Sequence, residues 1–66
     1  MIDTNSLKGI IVTNGLSQRK VAKKLGITEK TFYEKMKKGI FNSDEIEVMI
    51  NILNIKDPVN IFLSNK

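Results

Sequence analysis

The chain has 66 residues, of which 41% are hydrophobic and 27% charged, and its formal net charge is +4. Its length allows one domain, near the lower limit for a core without disulfides or metal, and the absence of cysteine and histidine excludes disulfides, thiol chemistry, the usual zinc sites and the usual general base. No apolar run could span a bilayer, and the amino terminus lacks the features of a secretory signal. We therefore expect one cytoplasmic domain, residues 1–66, with no cofactor or metal and no membrane association.

Apolar residues at helical spacing predict a first helix over about residues 6–14 and a second, short helix after it. The inward side of the first helix consists of Leu7, Ile10 and Ile11. Ser17 is a good N-cap for the second helix, and Gly26 permits the left-handed turn that ends it. The buried side of this second helix consists of Val21, Ala22 and Leu25.

A third helix is predicted between Thr28, which can cap its start, and Gly39, which ends it. Ile27 is expected to pack inward at the turn that precedes this helix. Within the helix, only Phe32 and Met36 need to be buried. Two short helices joined by a tight glycine turn therefore occupy about residues 17–38.

A fourth helix follows, capped by Asn42 or Ser43, and its exposed start has anionic side chains that the helix dipole favours: Asp44, Glu45 and Glu47. Its inner side is expected to consist of Ile46, Met49, Ile50 and Leu53. The last segment, residues 58–64, has two interpretations. Asp57-Pro58 is a typical helix start, whereas Val59, Ile61 and Leu63 alternate as they would in a strand.

Positive charge is concentrated in the two central helices. Residues 17–38 contain eight basic residues against Glu29 and Glu34, a net charge of +6, whereas the rest of the chain has a net charge of −2. A charge run on a small protein is more often a solvated surface than a binding site. Concentration on one supersecondary unit, however, is what contact with nucleic-acid phosphates requires.

The same segment meets the requirements of a helix-turn-helix. Ala22 is a small residue where the two helices would touch, and Gly26 can adopt positive φ in the turn. The apolar underside would consist of Val21, Leu25, Ile27 and Phe32. The segment QRKVAKKLGITEKTFYEKMKKG resembles the helix-turn-helix of the phage-repressor and Cro-like family, and NSDEIEVMINILNI resembles the fourth helix of that family.

This resemblance implies an all-α fold, a compact lambda-repressor-like domain of four to five helices with the helix-turn-helix as helices 2 and 3. It also implies a sequence-specific regulator of transcription that binds an operator in double-stranded DNA as a homodimer, with a phage or mobile-element origin and no small-molecule effector. In such proteins the second helix of the motif enters the major groove. Enzyme activity is not expected, since no pair of base and nucleophile is present.

Site residues follow from the resemblance, position by position. The candidates for base contacts are Gln18, Thr28, Glu29, Lys30, Tyr33 and Glu34. The candidates for phosphate contacts are Ser17, Arg19, Lys23, Lys24, Lys35, Lys37 and Lys38. Two acidic residues on the recognition helix depart from the family pattern, because Glu29 and Glu34 would repel phosphate. A glutamate can accept from cytosine N4, but Glu34 could also pair with lysines one turn away.

Two further alternatives remain open. Tyr33 could contact DNA or cover the edge of the core, and the apolar tail could form a dimer interface or close the core of a single protomer. The tail residues concerned are Ile55, Val59, Ile61, Phe62 and Leu63. The competing function is a protein-interaction module, such as an antirepressor or adaptor, that keeps the fold and binds another regulator through Glu29 and Glu34.

Overall fold

A computed structural model describes residues 2–63, and this part of the chain contains five helices and no strand. The helices are α1 (Thr4–Thr13), α2 (Gln18–Leu25), α3 (Glu29–Lys38), α4 (Ser43–Ile52) and α5 (Pro58–Phe62). The prediction of an all-α fold with the helix-turn-helix as the second and third helices is confirmed. Among the described residues, no helix is long and apolar enough to cross a membrane.

Local capping decides where the helices begin. The side chains of Ser17, Thr28 and Asn42 accept hydrogen bonds from backbone amides in the first turns of α2, α3 and α4, as the sequence predicts. Helix α1 begins earlier than predicted, because the side chain of Asp3 accepts from the Ser6 amide at 3.2 Å and caps it.

The undecided last segment forms a helix at residues 58–62. Pro58 occupies the first turn, where its missing N–H leaves no intrahelical bond unmade, and the side chain of Asp57 caps the helix. The alternation of Val59, Ile61 and Leu63 therefore does not indicate a strand. Residue 64, which was part of that segment, lies outside the described residues.

Every helix contributes to one hydrophobic core. Its buried members are Ile2, Leu7, Ile11, Val21, Ala22, Phe32, Met36, Phe41, Met49, Leu53, Ile55 and Phe62. Phe41, in the link between α3 and α4, was not expected in the core, and its ring lies 5.5 Å from that of Phe32, centroid to centroid. This contact anchors the end of α3 to the rest of the domain.

The packing of α2 and two hydrogen bonds of α1 hold the helices of the domain together. Helix α2 packs on α1, α3 and α4, and Ala22 is 1% exposed at this junction. The Asn14 side-chain amide donates to the Leu53 carbonyl at 3.0 Å, which joins the ends of α1 and α4. The Asp3 amide donates to the Ile61 carbonyl at 2.7 Å and connects the start of the chain to α5. The helix-turn-helix thus packs on α1 and α4, and α1 is hydrogen-bonded at its two ends to Leu53 and Ile61.

The tail residues divide into two groups. Ile55 and Phe62, at 7% and 6% exposure, close the core of a single protomer, so the expectation that they meet a second copy is corrected. Ile61 is partly buried against the same core. Val59 and Leu63 are 61% and 68% exposed and remain available for an intermolecular contact.

Candidate nucleic-acid interface

The turn between α2 and α3 consists of residues 26–28 and is fixed by backbone hydrogen bonds. Gly26 adopts the left-handed conformation, with φ 76° and ψ 23°. The Ile27 amide donates to the Ala22 carbonyl at 3.1 Å, and Thr28 Oγ1 accepts from the Thr31 amide at 3.1 Å. The two helices are therefore joined without a flexible residue between them.

Seven basic side chains of the helix-turn-helix are exposed, and we call them the basic face: Arg19, Lys20, Lys23, Lys24, Lys30, Lys37 and Lys38. Within residues 2–63, none of the seven forms an ion pair with an acidic side chain. Their charges are consequently not neutralised by the protein. Such a surface can exchange its counterions for the phosphates of a nucleic acid.

Lys35 does not belong to the basic face, which corrects its prediction as a phosphate contact. Its ammonium donates to Glu45 Oε2 at 2.5 Å, and the Lys35 and Glu45 side chains are 28% and 8% exposed. The other oxygen of Glu45 accepts from the Asn42 amide at 2.9 Å, and the Asn42 side chain accepts from the Glu45 amide at 2.8 Å. The pair thus attaches α3 to the capped start of α4.

Glu45 was expected at an exposed helix start, and it is instead buried. Burial by itself raises the pKa of the Glu45 carboxyl. The hydrogen bonds from Lys35 and from the Asn42 amide, together with the charge of Lys35, lower this pKa by more than burial raises it. The pKa of Glu45 therefore lies below its ordinary value. The carboxylate is therefore charged at neutral pH and holds Lys35 in place.

The outward side of α3 presents Lys30, Tyr33, Glu34 and Lys37, which recur at i, i+3, i+4 and i+7 and lie opposite the buried Phe32. Thr28 is exposed at the start of this side. Among the described residues Glu34 forms no ion pair, so the expected pairs with its neighbouring lysines are not made. The carboxylate of Glu34 thus faces solvent between two lysines.

Tyr33 is 49% exposed, and its hydroxyl donates to Glu29 Oε2 at 2.7 Å. Acceptance of this hydrogen bond by Glu29 raises the pKa of Tyr33, and desolvation and the negative charge of Glu29 add to the effect. Tyr33 therefore stays protonated and keeps donating at neutral pH. The two side chains form a fixed pair one helical turn apart.

An open polar hollow of about 430 Å³ joins the two helices of the motif to α1. It is lined by Thr4, Lys8, Gln18, Tyr33, Met36 and Lys37. Three candidate residues, Gln18, Tyr33 and Lys37, are thereby brought together. Lys8 joins them, although sequence reasoning did not select it. No local pattern in the sequence distinguishes Lys8, because it reaches the hollow only through the packing of α1.

Comparison with known families gives one match. Residues 13–39, from the end of α1 to the residue that ends α3, match the family model described as bacterial regulatory protein, Fis family. The match covers 27 of the 66 residues and contains the complete helix-turn-helix. No curated protein and no solved structure matches the chain.

This match supports a helix-turn-helix of the kind found in DNA-binding regulators of transcription, with DNA as the partner. Domains of this class are typically not enzymes. It does not extend to the phage-repressor and Cro-like type that the sequence resembles. Within residues 2–63, no group of three or more acidic, histidine or cysteine side chains could hold a metal ion.

Proposed function

We propose that this protein is a sequence-specific, Cro- or repressor-like regulator of transcription, of phage or mobile-element origin, that binds an operator in double-stranded DNA as a homodimer. The observation that carries the proposal is the coincidence of the basic face with a rigid helix-turn-helix whose second helix has a polar outer side. Charge alone would support non-specific binding. A defined, exposed helix beside that charge supports contact with base edges.

In this proposal α3 lies in the major groove, and its outer side contacts the bases. The candidates for base contacts remain Gln18, Thr28, Glu29, Lys30, Tyr33 and Glu34. Phosphate contacts come from Ser17, Lys8 and the basic face other than Lys30, without Lys35. Lys8 and Lys37 line the same polar hollow, where a phosphate oxygen could accept from both ammonium groups.

A second copy is proposed to bind at the carboxyl-terminal side of the domain. The exposed side chains of Val59 and Leu63 lie in an apolar groove of about 240 Å³ between α4 and α5, lined by Ile46, Ile50, Pro58, Val59, Phe62 and Leu63. No charged side chain lines it, so its burial costs no ion desolvation. Dimerisation here would present two recognition helices to half-sites about 34 Å apart.

The alternative is a protein-interaction module, an antirepressor or adaptor, that keeps the fold without specific DNA binding. The carboxylates of Glu29 and Glu34 on α3 favour it, since neither is paired with a cation in the described part of the chain. A partner with a basic surface could pair with both. The basic face around them opposes this alternative.

Selection of bound duplexes from a randomised library at about 150 mM salt, where non-specific binding is weak, distinguishes the two functions. Enrichment of a palindrome is expected, because a homodimer with two-fold symmetry contacts two equivalent half-sites. Folded protein that enriches no sequence would contradict the proposal and favour a protein partner.

A further inference from the structure

The hydrogen bond between Tyr33 and Glu29 gives the start of α3 a fixed acceptor. Glu29 is the first residue of α3, and Tyr33 follows one turn later on the same side. Their bond of 2.7 Å uses Oε2 of the carboxylate, and Glu29 has no other hydrogen bond or ion pair among residues 2–63. Its Oε1 is therefore available to a ligand.

The chemistry of this acceptor excludes most base edges. A carboxylate in this position can only accept hydrogen bonds. In the major groove guanine presents the acceptors O6 and N7, and thymine presents the acceptor O4, so both repel it. Adenine presents a donor at N6 and an acceptor at N7 on the same base, whereas cytosine itself presents only the donor N4. Cytosine is the base that fits.

Tyr33 restricts where the carboxylate can go. A glutamate side chain at a helix start has several rotamers, and without a partner it samples more than one of them. The hydroxyl of Tyr33 favours the rotamers in which Oε2 of Glu29 accepts its hydrogen bond, and it does so without adding a charge. Less ordering is then needed when DNA binds, which strengthens discrimination between bases.

We propose that Glu29 recognises a cytosine in each half-site through N4 and that Tyr33 positions its carboxylate for this contact. The inference rests on the proposed function, because it requires α3 to lie in the major groove. It distinguishes the two glutamates of α3: Glu29 is held by Tyr33 and selects the cytosine, whereas Glu34 has no hydrogen-bond partner in the described residues and is not part of this contact.

The test is selection from one randomised duplex library at about 150 mM salt, with wild type, Glu29→Gln, Tyr33→Phe and the matched control Glu47→Gln, which removes one negative charge at an exposed position on α4. Wild type should enrich cytosine at one position of each half-site. Glu29→Gln should lower this preference by about 10-fold or more and admit adenine, whose N6 and N7 suit an amide. Tyr33→Phe should lower the cytosine preference by about 3- to 10-fold with the other positions unchanged. Glu47→Gln should leave that position unchanged.

Each of the following results would overturn the inference in a different way. If Glu29→Gln keeps the wild-type preference at every position, Glu29 does not contact a base. If Tyr33→Phe keeps full cytosine discrimination, or weakens binding to all duplexes equally, Tyr33 does not position Glu29. A wild-type protein that enriches no sequence would overturn the proposed function together with this inference, whereas an enriched site without the cytosine would overturn the inference alone.

Discussion

The helix-turn-helix and the carboxyl-terminal half of the domain share one core but differ in surface chemistry. Residues 17–38 have a net charge of +6, and seven of their eight cations are exposed, whereas residues 39–63 have a net charge of −3 and contain the apolar groove. The first surface suits a polyanion, and the second suits burial against another protein. The contrast teaches that a domain this small can present two surfaces of different chemistry when each surface belongs to different helices.

Only two side chains join these regions through charge among the described residues, Lys35 of α3 and Glu45 of α4. Lys35 is thereby the one cation of residues 17–38 that serves the fold instead of the surface. The pair attaches α3 to the start of α4, so the position of α3 depends in part on the carboxyl-terminal half of the domain.

The largest effect is expected from a charge in the apolar groove. Val59→Asp should abolish dimerisation and lower operator affinity by about 100-fold or more, because each protomer then binds its half-site independently. The matched control is Val12→Asp, since Val12 is 73% exposed on α1 and lies outside the groove. Sedimentation equilibrium measures the mass of each variant. A Val59→Asp protein that remains a dimer would show that the apolar groove is not the dimer interface.

Removal of the link between the halves should come next. Glu45→Ala loses the ion pair, the hydrogen bond to the Asn42 amide and part of the cap of α4, which should lower the free energy of unfolding by about 2 kcal/mol. Asp44→Ala, at the exposed neighbouring position, should change it by about 0.5 kcal/mol or less. Urea denaturation measures both. If the two substitutions lower the free energy of unfolding equally, the ion pair with Lys35 adds no stability beyond the effect of an acidic side chain at the start of a helix.

Acid should weaken the same link. The pKa of Glu45 in the folded protein lies below its ordinary value of 4.5, so its contribution to stability is fully present above pH 4.5 and is lost as the pH falls through the lower, folded value. The difference in unfolding free energy between wild type and Glu45→Gln should therefore be larger at pH 7 than at pH 3. A difference that stays constant with pH would show that the Glu45 charge does not stabilise the fold.

The turn of the motif should give a smaller effect. Gly26→Ala should lower the free energy of unfolding by about 1 kcal/mol, because an alanine at φ 76° is strained. Gly9→Ala on α1 is the matched control, since an added Cβ meets no atom within 4 Å at either position. In a regular helix this control should raise stability by about 0.5 to 1 kcal/mol. Thermal unfolding of both variants checks the sign of each change in stability. An unchanged stability of Gly26→Ala would show that an alanine at this turn position is not strained.

The sequence predicted features that depend on neighbours along the chain and missed features that depend on packing. The caps Ser17, Thr28 and Asn42 were predictable, because each acts on an amide three residues away. The pairing of Lys35 with Glu45 was not predictable, because the two are ten residues apart and meet only through the link that brings the start of α4 back to α3.

The same distinction applies to the candidate site. The bond from Tyr33 to Glu29 spans one turn of α3 and could have been inferred from spacing. Lys8 reaches the polar hollow only through the packing of α1 beside the helix-turn-helix, which no local pattern indicates. The division of the tail into buried Phe62 and exposed Val59 also required the placement of α5 against α4.

We propose that Lys8 and the basic face other than Lys30 bind DNA phosphates and that the carboxyl-terminal half of the domain does not. The most direct test is the salt dependence of duplex binding, measured by fluorescence anisotropy for wild type, Lys23→Ala, Lys37→Ala and Lys56→Ala. Lys56 is an exposed cation outside the helix-turn-helix and is the matched control. Each of the first two substitutions should reduce the slope of log K against log salt by about 0.9 for each bound protomer, and Lys56→Ala should leave it unchanged. Equal reductions for all three, or a wild type that does not bind duplex DNA at low salt, would contradict the claim.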